Sequence, residues 1–241
     1  MRKITFIRRV TVFINHTITF IPDNLKRLSE IFPAAVVAPD VPDIAPQPIL
    51  VAPPIEPNDT PWYMLPWMEG RRKIQFHPNR IDIIEQQNTS SGEAERQLVL
   101  SIVEDLKKIL TGLETSMLQR LAYAPVIAIE EDGDFSVSEY FANHVVLPDF
   151  ETAKPSERNI NVSYHVVQMI GGERRKINFA CKLSEGYKKN PQQNAILPTL
   201  IIEPDINTSY DSTAEFEMPV VDYFFPESIK WSGMIVEHFL K

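Results

Sequence analysis

An α+β fold, with mixed or antiparallel sheets, one long central helix and a C-terminal helix, is predicted by three observations. Apolar residues alternate with polar ones over several spans, the period of strands half-buried in a sheet. Residues 92–117 instead repeat their apolar positions at intervals of three and four, the period of a helix packed along one side. Glycine- and asparagine-bearing turns separate consecutive strand-like spans closely enough for antiparallel neighbours. The chain has 241 residues, which suffices for one sizeable core or two modest ones. With 44% hydrophobic and 23% charged residues it has a globular composition, not that of a disordered chain.

The elements follow in order. Ile4, Phe6, Val10, Val12, Ile14, Ile18 and Phe20 occupy even positions, and Lys3, Thr5, Arg9, Thr11, Asn15, Thr17 and Thr19 occupy odd ones. This is a strand signal of unusual length, so a break is expected at Arg8-Arg9. Asp23 then has the character of an N-cap for a short helix through Leu25, Leu28 and Ile31, which Pro33 ends. Ten of the 20 prolines lie within residues 33–66. That density forbids a regular helix or central strand. Val36, Val37, Val41, Ile44, Ile49, Leu50 and Ile55 nevertheless make the segment too apolar for a solvated linker, so it should rest against something. A meander is expected at 62–68, 71–76 and 81–85, with turns at Glu69-Gly70 and Pro78-Asn79. Ser90-Ser91-Gly92-Glu93 supplies a helix cap. Leu98, Ile102, Leu106, Ile109, Leu113 and Met117 make the following helix, and residues 121–129 read as a strand covered on both faces.

The second half repeats this rhythm: a short helix at 137–141, a hairpin of 160–166 and 177–183 about Gly171-Gly172, a strand at 200–202, and a final amphipathic helix opening near Pro226. Arg71-Arg72-Lys73-Ile74-Gln75-Phe76 recurs as Arg174-Arg175-Lys176-Ile177-Asn178-Phe179, each copy following a glycine turn. Two explanations stand: a favoured hairpin composition recurring by chance, or a duplicated α+β unit. On the second, residues 1–133, with the proline-rich arm at 33–66, form one half and residues 134–241 the other.

Several short signals share an order with a known group of chains. They are Phe32-Pro33, the strand led by Trp62, the turn Glu69-Gly70, Ile81-Asp82-Ile83, the long helix, Leu121-Ala122-Tyr123, Asp205-Ile206-Asn207, and His238 before Phe239. In these the chain resembles an uncharacterised, sporadically distributed bacterial family of about this length. It departs from that pattern at Ala122, Pro125 and Asn207. The resemblance implies an architecture and lends no catalytic residue.

Charge and composition exclude several functions. Asp and Glu outnumber Lys and Arg, 32 to 24, for a net charge of −8, so general nucleic-acid binding is disfavoured. Phosphate-loop, dinucleotide, nucleophile-elbow and zincin motifs are missing, and 8 glycines leave little for a backbone phosphate cradle. Cys181 is the one cysteine, so no disulfide closes within the chain, and its strand parity places it among core residues. His16, His77, His144, His165 and His238 show no metal-ligand spacing. The acidic runs 130–134 and 205–211 read as solvated turns, the second lacking the glycine and glutamate of an EF-hand. No cofactor or metal is expected. No signal peptide and no apolar span of membrane length occurs, which predicts a cytoplasmic protein without membrane contact.

Two candidate sites remain. Arg71, Arg72, Lys73, Arg174, Arg175 and Lys176 form an anion site if the halves bring them together, or act as edge charges that prevent aggregation. Val41, Ile44, Ile49 and Leu50 of the proline-rich arm can dock a partner or exchange between subunits. The function expected is a non-enzymatic binding or accessory module that recognises a macromolecular partner or self-associates. The alternative is an enzyme or receptor for a small anionic ligand, with its site between the halves. Catalytic residues are not assigned.

Overall fold

The computed structural model describes residues 2–18, 27–28, 30–32, 49–50, 63–67, 70–144, 159–190, 195–208 and 215–241. Most of the proline-rich segment, including Val41 and Ile44, therefore lies outside the described residues, as does Asp23. Residues 27–28 and 30–31 are helical. In chain order the elements are β1 (Arg2–Ile14), β2 (Ile49–Leu50), β3 (Tyr63–Trp67), β4 (Arg72–His77) and β5 (Arg80–Glu85). Helix α1 (Gly92–Gly112), β6 (Met117–Glu130), α2 (Val137–His144), β7 (Asn159–Ile170), β8 (Glu173–Asn190) and β9 (Ala195–Thr208) follow. A two-residue β10 (Phe216–Glu217), a 3-10 turn (Met218–Val220) and helix α3 (Val221–Phe239) close the chain. The fold is α+β. Among the described residues, no helix is long and apolar enough to cross a membrane.

All strands join one ten-stranded sheet in the order β2-β3-β4-β5-β1-β6-β9-β8-β7, with β10 pairing to β6. Every pairing is antiparallel. Strand alternation sends Val10, Val12, Ile74, Phe76, Ile81, Ile83, Leu121, Tyr123, Ile177 and Ile206 to one face, where they are buried with α1 and α3. Helix α2 packs on the continuation of that core through Val137, Tyr140 and Phe141, against Ile127, Leu183, Leu200 and Ile202. The opposite face carries no described helix and is termed the open face.

Four boundaries differ from the sequence expectations. β1 is not broken at Arg8-Arg9: a register shift between Thr5 and Ile7 inserts one extra residue, and the strand continues. Helix α1 stops at Gly112, short of the expected 117, because Glu114 adopts a positive φ of 55° and the Thr115 amide donates back to the Leu110 carbonyl. Met117 therefore starts a strand. That strand is buried on its helix face but only half-buried on the other, so it is not covered equally on both sides. Helix α3 begins five residues before Pro226, which lies inside it and deprives the Asp222 carbonyl of its helical donor.

The halves repeat one connectivity. β1, β3, β4, β5 and α1 correspond to β6, β7, β8, β9 and α3, so that β1-β5-β4-β3 and β6-β9-β8-β7 run outward from a shared centre. Thr11 faces Ala122 across that centre, with Arg9 opposite Ala124 and Phe13 opposite Arg120 on either side. The two arginine–lysine runs occupy equivalent places in β4 and β8. Tyr63 faces Phe76 in one half, and Tyr164 faces Phe179 in the other. Before α1, Thr89 bridges back to Thr5 of β1; before α3, Phe216 bridges back to Leu118 of β6. The repeat begins with β6, ahead of residue 133, because β6 pairs with β1 as its counterpart.

Candidate functional site

Two buried arginines staple α1 to the sheet. Arg8 donates through Nε to both Glu95 oxygens, at 3.0 and 2.9 Å, and through Nη2 to the Thr5 carbonyl at 3.0 Å and to Thr89. Tyr123 and Thr89 also donate to Glu95, at 2.7 and 2.6 Å. Burial alone would raise the Glu95 carboxyl, but the Arg8 hydrogen bonds and charge outweigh it and hold the group below its ordinary value. Burial and the Glu95 charge push the Tyr123 phenol well up. Arg72 donates through Nε to Glu85 at 2.6 Å and through Nη1 to Asp105, beside the Ser101 hydroxyl. Both guanidinium groups are buried and held on every nitrogen by acceptors from the sheet and α1, so neither is presented to a ligand.

The six cations singled out from the sequence do not meet. Four strands separate β4 from β8, about 24 Å at ~4.8 Å per strand. Alternation divides each run between faces as well. Arg72 is consumed by Glu85 and Asp105 beneath α1, while Lys73 is half-buried on the open face and Arg71 is exposed near Gln87. Arg175 lies on the helix side over the Phe216 ring, 4.6 Å from its centroid, and pairs with Glu173. Arg174 and Lys176 are exposed. Ile49 and Leu50 form β2 and pair with Met64 and Tyr63.

The open face carries a polar row through the centre of the molecule. In register it runs Met64, Gln75, Asp82, Thr11, Ala122, Asn207, Asn178 and His165. Asp82 accepts from Thr11 at 2.6 Å and lies 3.2 Å from His77 Nε2 and 3.1 Å from Arg80 Nε. Burial raises the Asp82 carboxyl, yet the His77 and Thr11 hydrogen bonds and the Arg80 charge together hold it below its ordinary value. Its counterpart Asn207 accepts from Asn178 and donates to Asp205, each at 3.1 Å. Asp205 and Asn207 thus belong to a strand, where a solvated loop was expected. One row further along, Arg80, Phe13 and Arg120 stand side by side on β5, β1 and β6.

The second notable region is the far edge. β7 is the last strand of the sheet, and its 12 residues, Asn-Ile-Asn-Val-Ser-Tyr-His-Val-Val-Gln-Met-Ile, include no Asp, Glu, Lys, Arg or Pro. Its register with β8 is unbroken by any bulge. Tyr164 is 58% exposed, Val167 60% and Met169 59%. On the helix side, Tyr164, Phe179 and Cys181 face Met234, His238 and Phe239 of α3 across an apolar groove of about 380 Å³. Burial pushes the Cys181 thiol up to about 12, with the Glu203 charge adding to the effect, so at neutral pH it is a small apolar group. A smaller cavity of about 150 Å³ lies between the start of α1 and α3, beside Glu95, Tyr123 and Ser232.

Neither Phe13, Arg80 and Arg120 nor the β7 edge was singled out from the sequence. Parity alone puts Phe13 and Arg120 opposite the core residues of their strands, but cross-strand register decides that they are neighbours. The lack of charge in 159–170 was legible; that this strand ends the sheet was not. Among the described residues, no group of three His, Cys, Asp or Glu side chains could hold a metal ion. No protein-family model and no curated protein matches the sequence.

Proposed function

We propose that the protein is a non-enzymatic binding module that takes an extended, apolar segment of a protein partner onto the outer edge of β7 as an additional strand. The observation carrying this reading is the contrast between equivalent edges. β3 receives Ile49–Leu50 opposite Tyr63 and Met64. At the corresponding positions, Tyr164 and His165, nothing among the described residues pairs with β7. A long, straight, uncharged edge is a template for pairing, and stable monomers blunt such edges with charge, proline or bulges. β7 has none of these. Strand addition draws affinity from main-chain hydrogen bonds and selectivity from pockets for alternate side chains. The groove beside Tyr164 and Met234 supplies such a pocket.

The segment already used on β3 suggests the chemistry of the guest: apolar, extended and flanked by proline, whose fixed φ reduces the ordering cost. A synthetic peptide copying residues 46–55 is a direct probe. It is expected to slow amide exchange along β7 and to bind at least tenfold more weakly to Val167→Lys/Met169→Lys. Absence of protection at β7, or equal binding by the variant, rejects the reading. Sedimentation without peptide distinguishes a foreign guest from a second copy of the chain at the same edge.

A further inference from the structure

We propose that Phe13, Arg80 and Arg120 form a binding site for the phosphate or carboxylate group of a small molecule, on the open face at the seam between the halves. Register places Phe13 between the two arginines, with Arg80 opposite it on β5 and Arg120 opposite it on β6. The guanidinium carbons lie 5.8 and 5.3 Å from the centroid of the Phe13 ring. An aromatic face attracts both cations and restrains long side chains that would otherwise sample many rotamers. The pair is therefore held before any ligand arrives.

The two arginines differ in what they have left to offer. Arg80 is ion-paired with the Asp82 carboxylate, 3.1 Å from its Nε but without hydrogen-bond alignment there, and its Nη2 lies 3.1 Å from the His77 ring. Arg120 makes no hydrogen bond or ion pair to any described residue, and its Nε is buried without an acceptor. A guanidinium carries five donors in a rigid fork matched to carboxylate and phosphate. Buried donors without acceptors are uncommon. Among the described residues the Nε of Arg80 and of Arg175 and the Tyr140 hydroxyl share this state, but only Arg80 and Arg120 bring two such donors to one ring, from the strands on either side of it. Glu215, in the segment entering β10, is already taken by Asn15 at 2.7 Å. Glu217 is exposed opposite Met117, three residues along β6. Among the described residues nothing competes for Arg120, so an arriving oxyanion meets it together with Arg80 as a second, partly neutralised cation. β9 and β8 stand between β6 and β7, so this site is separate from the strand-binding edge and does not depend on it.

Titration of the full chain with inorganic phosphate, and separately with succinate, tests the site through the arginine Nε–H and amide resonances of β1, β5 and β6. A saturable shift of the Arg120 Nε–H is expected with at least one anion. The one that acts identifies the ligand group as phosphate or carboxylate. Arg120→Ala is expected to weaken binding at least tenfold, and Arg80→Ala severalfold. Arg9→Ala, which removes another cation from the same face, should leave binding unchanged. Arg120→Lys, which keeps the charge and loses the fork, should bind weakly and serves if the alanine variant fails to fold. No saturable shift with either anion overturns the site. So does an Arg9→Ala loss as large as that of Arg120→Ala, since the response would then be diffuse charge.

Discussion

The hairpins β3–β4 and β7–β8 share a sequence motif, a register and a place in the repeat, yet they have been put to different uses. In the first, Arg72 is wholly buried between Glu85 and Asp105, and the outer strand is joined by β2. In the second, the equivalent Arg175 rests on Phe216 with Glu173 as its ion-pair partner, and its outer strand is bare among the described residues. A repeated unit thus supplies stability on one side and surface on the other. The two copies of the motif differ only at Gln75 and Asn178, while the partners around them differ widely.

The largest expected effect tests this division directly. Arg72→Met leaves Glu85 without its cation beneath α1, and Asp105 with only the exposed Lys108 at 3.4 Å, and should cost about 3–5 kcal/mol, the usual loss on breaking a buried pair from one side. Arg175→Met should cost about 1 kcal/mol or less, the scale of a partly exposed cation–π contact. Equal losses in chemical denaturation would break the comparison.

A smaller effect distinguishes Asp82 from its counterpart Asn207. Asp82 and Glu95 are both held below their ordinary values in the folded chain. Their contribution is therefore complete above the unfolded carboxylate range, about pH 4, and is lost as pH falls through the lower folded values. Asn207 does not titrate. Acid should accordingly loosen the first half before the second, read as earlier amide exchange in β4 and β5 than in β8 and β9. Asp82→Asn should flatten stability against pH below about pH 4. Simultaneous loss in both halves would show that the carboxylates are not what separates them.

The smallest effect sharpens the account of the groove. With its thiol pushed up to about 12, Cys181 should alkylate far more slowly at pH 8 than an unperturbed cysteine. Occupation of the groove by the peptide of residues 46–55 should slow it severalfold further. Alkylation at the rate of a free thiol would place Cys181 outside the buried groove wall.

Much of the fold could be read from residue order, because alternation and helical spacing are local. Ile74 and Ile177, Phe76 and Phe179, and Ile102, Leu106 and Ile109 of α1 reach the core that their spacing predicts, whereas Leu98 is only half-buried and Val99 takes the core position in the first turns. Misreadings arose where a local pattern ran past a tertiary event. Leu113 and Met117 continue the helical period, but Glu114 turns the chain into a strand. The even-residue alternation of β1 hides an extra residue near Phe6. The candidate sites were less legible. The six cations of the repeated motif are split by alternation and by four intervening strands, while Arg80 and Arg120 carry no local sign of being partners.

By itself the sequence determined which residues alternate, where the long helix begins, that Cys181 belongs to a core, and that two stretches repeat. These follow from side-chain periodicity and backbone chemistry within a few residues. Only the tertiary structure decided that β1 and β6 join the two sets of strands in one sheet, that Arg72 is sealed while Arg120 has no partner among the described residues beside Phe13, and that β7 is the outermost described strand. Those facts depend on register and strand order, which are set by contacts between residues a hundred positions apart.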